Sequence, residues 1–304
     1  MKSLKKVIAV FLIPLAFVSI SGCNPDTENS EDVITNSIEK FGSNSTMEIA
    51  TWNMHNFPDN GDKSIESYKI IIEKLDIDIY AVQEIANTSS FKKLMSQLSD
   101  YDGLYSDDTY DSGYQKTGII YKKNMVTVLS KDQIYQDKKY EFPRPPIVLY
   151  LRVNKDSQEY DFYLIVIHLK AYEGTEELDR RRGAVKLLKE YMDERISNSQ
   201  EKDYIIAGDW NDELSDDENS NSFTLLLNDI NDYRFLTLEI SGDPVYASYP
   251  YKGSLIDHIL ISAQLFDEYE NGSTITLKID SHISGYFSNV SDHRPVVSIF
   301  PIFD

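Results

Sequence analysis

One pattern constrains this chain more than any other. Short apolar runs rich in Ile, Val and Tyr end, again and again, on a small polar cluster capable of chemistry. Met47–Trp52 runs into Asn53-Met54-His55-Asn56, Ile77–Val82 into Gln83-Glu84, Phe162–Ile167 into His168-Leu169-Lys170, and Tyr204–Ala207 into Gly208-Asp209-Trp210-Asn211-Asp212. Two further clusters complete the series: Asp257-His258 inside Leu255–Ile261, and Ser291-Asp292-His293-Arg294-Pro295 ahead of Val296–Phe300. Apolar runs of this length, bounded by Gly, Pro and polar residues, read as strands. Neighbouring side chains point to opposite faces of a strand, so Asp292 and His293 can serve two different partners. Loops at strand ends can converge on one site.

Gly118–Tyr121 and Ile147–Val153 read as two more strands. In Ser64–Leu75, the apolar residues Ile65, Tyr68, Ile72 and Leu75 recur at three- and four-residue spacing, which predicts a helix. Glu176–Ile196 predicts the longest helix, with Leu178, Val185, Leu188, Tyr191 and Met192 as its apolar stripe. Strands alternate with helices in each half. The expected fold is therefore α+β: two packed, mostly antiparallel sheets flanked by helices, a four-layer α/β/β/α sandwich. A length of 304 residues, 41% hydrophobic and 12% aromatic, suits one large globular domain with a substantial core.

Residues 1–22 are not expected to belong to that domain. Lys2, Lys5 and Lys6 form a positive start, and Val7 to Val18 form an apolar segment too short to span a bilayer comfortably. Ile20-Ser21-Gly22-Cys23 follows and resembles a bacterial lipobox, which implies removal of the signal and lipidation of Cys23. An ordinary signal peptide or an uncleaved anchor is the alternative. Cys23 is the only cysteine, so no intrachain disulfide can form. Residues 23–45 are polar and read as a flexible tether, leaving 46–304 as the catalytic domain. Export to the bacterial cell envelope, anchored by lipid, is the expected location, and a monomer the expected state.

The formal net charge is -20. Such a protein repels polyanions at long range, which argues against tight nonspecific nucleic-acid binding. It does not exclude a nuclease, because a metal ion and a few local cations can hold one phosphate.

Taken in order, the six clusters resemble the endonuclease/exonuclease/phosphatase superfamily, the deoxyribonuclease I-like proteins, from about Met47 to Phe303. Each cluster alone has a bland reading, as a surface pair or a turn; the ordered set is the specific signal. The resemblance implies phosphoester hydrolysis with a divalent cation, Mg2+ or else Mn2+ or Ca2+. It makes Glu84 a metal ligand supported by Asn53, and places Asp292 on the metal or phosphate side. It makes His293 the general base and Asp257 the carboxylate that fixes its tautomer. Asp209 and Asn211 would contact the nucleophile or leaving group and the phosphate. His55 has no required role and is expected at the rim.

His168 matches a position that donates to the phosphate or leaving oxygen in the nuclease branches. The residue orienting it there is Glu; the matching position here is Gln115, which could orient the ring without raising its basicity. Arg144, between prolines in Phe142-Pro143-Arg144-Pro145-Pro146, resembles a phosphate contact, and a guanidinium suits that role. Asp212, Glu213, Asp216, Asp217 and Glu218 read as a solvated acidic loop, and Arg180–Arg182 as salt-bridging residues. Tyr246, Tyr249 and Tyr251 read as packing residues that could alternatively stack on a base or sugar.

Gly253-Ser254-Leu255-Ile256-Asp257-His258 lacks the run typical of inositol-polyphosphate 5-phosphatases. The leading expectation is a lipid-anchored DNase I-like nuclease acting on DNA or another phosphodiester. The alternatives are a phosphatase or a phospholipid or sugar phosphodiesterase on the same scaffold, or a noncatalytic surface-binding protein.

Overall fold

The computed structural model describes residues 38–107, 114–155, 158–199 and 201–301. Cys23, the expected signal segment and most of the expected tether lie outside the described residues. Residues 38–45, expected at the end of the tether, instead lie against the domain. Ile38 is buried among the core residues, and the amides of Phe41 and Gly42 both donate to the carbonyl of Leu75 at 2.9 Å.

Twelve strands make two six-stranded sheets. The first has the order β11-β12-β1-β2-β4-β3 and the second β5-β6-β7-β8-β10-β9. Their ranges are β1 Met47–Phe57, β2 Ile79–Ile85, β3 Tyr101–Tyr105, β4 Lys116–Lys122, β5 Val126–Gln133 and β6 Ile147–Lys155. The remainder are β7 Gln158–His168, β8 Tyr204–Asp209, β9 Tyr233–Phe235, β10 Asp257–Ser262, β11 Ser273–Thr276 and β12 Val296–Phe300. Pairing is antiparallel except for β1 with β2 and β7 with β8. Each parallel pair is joined by a helix, as parallel neighbours require: α1 (Asp62–Leu75) in the first half and α3 (Thr175–Asn198) in the second. Among the described residues, the other α-helices are α2 (Thr88–Gln97) and the short α4 (Thr224–Leu227) and α5 (Tyr286–Asn289).

The strands are apolar on both faces because both faces are covered. In β2, Ile79 and Ala81 point into the inter-sheet core, while Tyr80 and Val82 meet the helical layer. Leu149, Leu151, Leu164 and Val166 of β6 and β7 close the inter-sheet core from the second sheet. Val185, Leu188 and Met192 of α3 cover that sheet from outside. This is the α/β/β/α sandwich. Among the described residues, no helix is long and apolar enough to cross a membrane.

The two parallel pairs position the site. In open α/β arrangements, the crevice lies beyond the carboxyl ends of parallel strands. Glu84 lies one residue before the end of β2, His168 ends β7 and Asp209 ends β8. Antiparallel β10 starts at that same edge, with Asp257 opposite Asp209 in register. His168 is also opposite Asp209, across the parallel pair. Gly208 makes this approach possible, since a Cβ there would lie 2.2 Å from the carbonyl oxygen of Ile167.

Candidate active site

A cavity of about 500 Å³ opens at this edge, and Asn53, Glu84, His168, Asp209, Asn211, Asp292 and His293 all line it. At its centre, His293 Nδ1 lies 2.7 Å from Asp257 Oδ2, and His293 Nε2 lies 4.0 Å from Asp209 Oδ2. The backbone around His293 is held from three sides. Its amide donates to Ser291 Oγ at 2.9 Å, while its carbonyl accepts from Tyr286 Oη at 2.6 Å and Trp52 Nε1 at 3.4 Å. Ser291 Oγ donates to the carbonyl of Asn53 at 2.6 Å, which joins the β12 approach to β1. These supports were missed in the sequence, although Ser two residues ahead of His is a recognisable turn signal.

Each oxygen of Asp209 accepts one hydrogen bond and keeps a lone pair for another donor. Asn53 Nδ2 reaches Oδ2 at 2.9 Å and the amide of Asn211 reaches Oδ1 at 3.0 Å. Asn211 takes a positive φ of 55°, and its side-chain Nδ2 donates to the carbonyl of Leu169 at 3.2 Å. Asn53 Oδ1 accepts the amide of His55 at 2.9 Å. Both ends of the Asn53 amide are thus committed to placing Asp209 and the turn after it.

Glu84, with φ at 61°, breaks the extended backbone at the end of β2. Its Oε2 accepts from the amide of Asn56 at 2.8 Å and from Gln115 Nε2 at 3.0 Å. Its Oε1 lies 3.9 Å from His168 Nε2, and Asp209 Oδ2 lies 3.4 Å from the same nitrogen. One carboxylate oxygen of Glu84 is clamped and the other faces the cavity, as a cation ligand needs. Oxygen donors from carboxylates suit a hard divalent ion. Asp209, Asp257 and His293 also bring ligand atoms within 4.8 Å of one another. However, Asp257 and His293 already bond each other, and an ion between them would break that pair.

Asp292 lines the cavity, but its Oδ1 pairs with His55 Nδ1 at 2.9 Å. Burial raises the Asp292 pKa, but the hydrogen bond from His55 and the charge of His293 outweigh it and hold the group below the usual carboxylate range. His55, expected in a structural or rim position, has Asp292 as its partner there.

Gln115 departs from the expectation that it orients His168. Its Nε2 donates to Glu84 and Asn56, and its Oε1 accepts from Arg144 NH2 at 2.6 Å. The Nδ1 of His168 is buried without a hydrogen-bond partner. Burial, with Arg144 and His293 nearby, pushes the His168 pKa well below its ordinary value, so the ring is neutral. Arg144 is placed through Gln115, one residue removed from Glu84.

The acidic loop also departs from expectation at Asp212. This side chain is buried: Arg181 Nε reaches Oδ2 at 3.2 Å, and the Ser222 hydroxyl donates to the same oxygen. His258 turns away from the site, as expected, toward the carbonyl of Asp212 and the hydroxyl of Thr237, both at 2.9 Å.

Electrostatics divides the central pair. Burial opposes a charge on His293, but Asp257, with Asp209 and Asp292 beyond it, outweighs burial and raises the ring to about 10. Burial, followed by repulsion from Asp257, raises Asp209 to about 7. A dense group of carboxylates around one imidazole is an environment short of positive charge.

Fold and site together define an α/β/β/α sandwich with an Asp–His pair and a half-clamped carboxylate at its open edge. The family model described as Endonuclease/Exonuclease/phosphatase family matches residues 50–293, and the chain belongs to that family. Among solved structures, an endonuclease/exonuclease/phosphatase family protein from Bacteroides thetaiotaomicron is 16% identical, with TM-score 0.60 over 84% of this chain and 95% of that one. The mannosyl-6-phosphatase of Bacteroides thetaiotaomicron VPI-5482 is 16% identical, with TM-score 0.59 over 83% and 98%. TDP2 of D. rerio, complexed with a single-strand DNA product, is 17% identical, with TM-score 0.61 over 84% and 99%. No curated protein matches the sequence.

Proposed function

We propose that this chain is a divalent-cation-dependent phosphodiester hydrolase, exported and lipid-anchored through Cys23. The observation that carries the reaction is the 2.7 Å Asp257–His293 pair beside Asp209, in the same cavity as the clamped carboxylate of Glu84. His293 Nε2 takes the proton of the attacking water, and Asp257 fixes the tautomer and balances the resulting charge. Asp209, held by Asn53 and Asn211, orients that water opposite the leaving oxygen. The neutral His168 donates from Nε2 toward phosphate oxygens. Glu84 would hold the cation through its unclamped oxygen, with Asn53 and Asp292 as the further ligands the resemblance implies. When bound, Mg2+ (or Mn2+ or Ca2+) supplies Lewis-acid activation of the phosphoryl group and offsets the carboxylate charge that keeps His293 protonated. The lipid anchor rests on the sequence Ile20-Ser21-Gly22-Cys23.

A nuclease is the first substrate reading, supported by the likeness to TDP2 bound to a DNA product. A second reading, a small sugar or other phosphoester, has an observation of its own. Glu173, Asp212, Glu213 and Asp216 line the cavity, and its cations Arg181 and Lys252 are each paired with one of these acids. The test is incubation of the purified chain with plasmid DNA and with bis(4-nitrophenyl) phosphate, in Mg2+ or EDTA. EDTA-sensitive hydrolysis of the diester that vanishes in His293→Ala supports the mechanism. Full activity in that variant, or in EDTA, refutes it.

A further inference from the structure

A line of aromatic rings leads out of the catalytic cavity. The Tyr249 ring is 5.1 Å from the His293 ring, Tyr251 is 5.9 Å from Tyr249, and Phe287 is 5.2 Å from Tyr251. Tyr249 lines the catalytic cavity, while Tyr251 and Phe287 line an adjoining cleft of about 410 Å³ with Ser284 and Ser288. Tyr251 is 65% exposed and Phe287 37% exposed, so both ring faces can meet a ligand. Both are set on turns: Tyr251 in the hairpin closed by the Tyr249–Ser254 bridge, and Phe287 in α5, which follows Gly285 at a φ of 72°. The chain therefore keeps two large rings in water beside the candidate base.

We propose that this shelf is the subsite for a pyranose ring, so that the substrate is a carbohydrate phosphoester with its phosphate at Glu84 and His293. The inference rests on the hydrolase reading in its second form, that of a small sugar phosphoester, and within it takes the substrate to be a phosphomonoester. Three observations favour a sugar over a nucleic acid. First, no Lys or Arg lines the outer cleft, and the Lys252 beside it is tied to Glu173 at 2.7 Å. A polynucleotide brings a phosphate with every base and needs cations to meet them. Second, the rings are inclined, at 62° for Tyr249 and Tyr251 and 51° for Tyr251 and Phe287. A flat base stacks on one plane. A stepped surface of negative ring faces instead fits the C–H groups on the face of a puckered ring. Third, the carboxylates of Glu213 and Asp216 in the inner cavity and the hydroxyls of Ser284 and Ser288 in the outer cleft suit a ligand carrying many hydroxyls.

The test compares the full chain with its Tyr251→Ala and Phe287→Ala variants on mannose 6-phosphate, glycerol 3-phosphate, a thymidine dinucleotide and bis(4-nitrophenyl) phosphate, all in Mg2+. Burying the apolar C–H face of the sugar on one ring is worth about tenfold. The expected result is a tenfold rise in KM for mannose 6-phosphate in each variant, with unchanged kinetics on the ring-free glycerol 3-phosphate. Loss confined to the dinucleotide would make the shelf a base platform and overturn the proposal. Wild-type hydrolysis of bis(4-nitrophenyl) phosphate without preference for mannose 6-phosphate over glycerol 3-phosphate would also overturn it, leaving the hydrolase reading intact. Inactivity on all four compounds would count against the hydrolase reading itself. The subsite is then decided by saturation-transfer NMR of mannose 6-phosphate with the EDTA-treated chain. Transfer to the ring protons that disappears in both variants supports it, and absence of transfer refutes it.

Discussion

His293 Nδ1 is 2.7 Å from Asp257 Oδ2, while the second oxygen of Asp257 is buried without a hydrogen-bond partner. The carboxylate is therefore dedicated to one imidazole. Asp257→Asn keeps the shape but removes the charge and can impose the wrong tautomer. We expect kcat to fall by about 10²- to 10⁴-fold, the usual worth of positioned acid–base catalysis. The sign of the accompanying pKa change follows from the cause. Asp257 heads the charges that raise His293 to about 10, so its loss lowers the ring's pKa. NMR titration of His293 in the variant should show a lower midpoint than in wild type. An equal midpoint would place the His293 proton under some other control.

Glu84 holds one oxygen to the Asn56 amide and Gln115 and leaves the other facing the cavity. If that free oxygen binds the cation, Glu84→Gln weakens Mg2+ and Mn2+ binding by about 10- to 100-fold, measured by calorimetry without any substrate. Wild-type chain in Mg2+ at about 100 times Kd should gain about 2.7 kcal/mol over chain in EDTA, read as a rise in Tm. At the same concentration the variant should gain only about 0.4–1.4 kcal/mol. An equal rise in both would move the cation away from Glu84.

The sheets and the catalytic edge were legible because their strands are long, apolar on both faces and stop at polar residues. β12 was read at its observed limits, Val296–Phe300. The strands that escaped notice lie at or next to sheet edges. β11, Ser273–Thr276, has one Ile among hydroxyl residues, and β5 exposes most of Thr127 to Asp132. Each pairs with the next strand along the chain, through a ladder that its own polar, exposed composition does not announce. Helix α2 carried a readable start, since Asn87 accepts from the amide of Ser90 as its cap. The roles of Gln115 and Asp212 were not readable at all. Both depend on an arginine far along the chain, Arg144 for one and Arg181 for the other. Arg181 is the salt-bridging residue the sequence suggested, but its partner is Asp212 on a remote loop, and it is buried among the inward-facing residues of α3.

Arg181 suggests a third measurement. Its NH1 donates to the carbonyls of Lys170 at 3.1 Å and Tyr172 at 2.8 Å, and its Nε serves Asp212 and Ser222. One guanidinium thus ties the loop after β7 to the loop after β8, two walls of the catalytic cavity. Arg181→Met leaves Asp212 buried and unpaired, at a cost of about 3–5 kcal/mol. Adding Asp212→Asn should recover part of that loss. Urea denaturation of the two variants decides it. Additive losses in the double variant would show that the pair is not coupled.

A fourth prediction concerns the end of the sandwich where the 38–46 segment packs. Glu48 is buried, with Oε2 lacking a hydrogen-bond partner, and its amide donates to Asp78 Oδ2 at 3.2 Å. Burial, then the charge of Asp78, raises its pKa to about 8 against a partial offset from Thr46 and Lys155. In the unfolded chain the same group titrates near 4.5. Between those values the unfolded state releases the proton and the folded state retains it, so stability falls as pH rises from 4.5 to 8. Asp209, raised from 3.8 to about 7, adds a slope of the same sign over nearly the same range, and His293, raised from 6.5 to about 10, adds one at higher pH, so a falling wild-type curve alone would not isolate Glu48. The difference between wild type and Glu48→Gln does. The glutamine cannot ionise, and Lys155 still reaches Asp78 at 3.0 Å. At pH 5 the two proteins should have similar Tm values. By pH 9 the variant should be the more stable by about 5 °C or more, given about 2–4 °C per kcal/mol for chains of about this size. Parallel curves across that range would mean that Glu48 is already ionised in the fold, with Lys155 as its effective counter-charge.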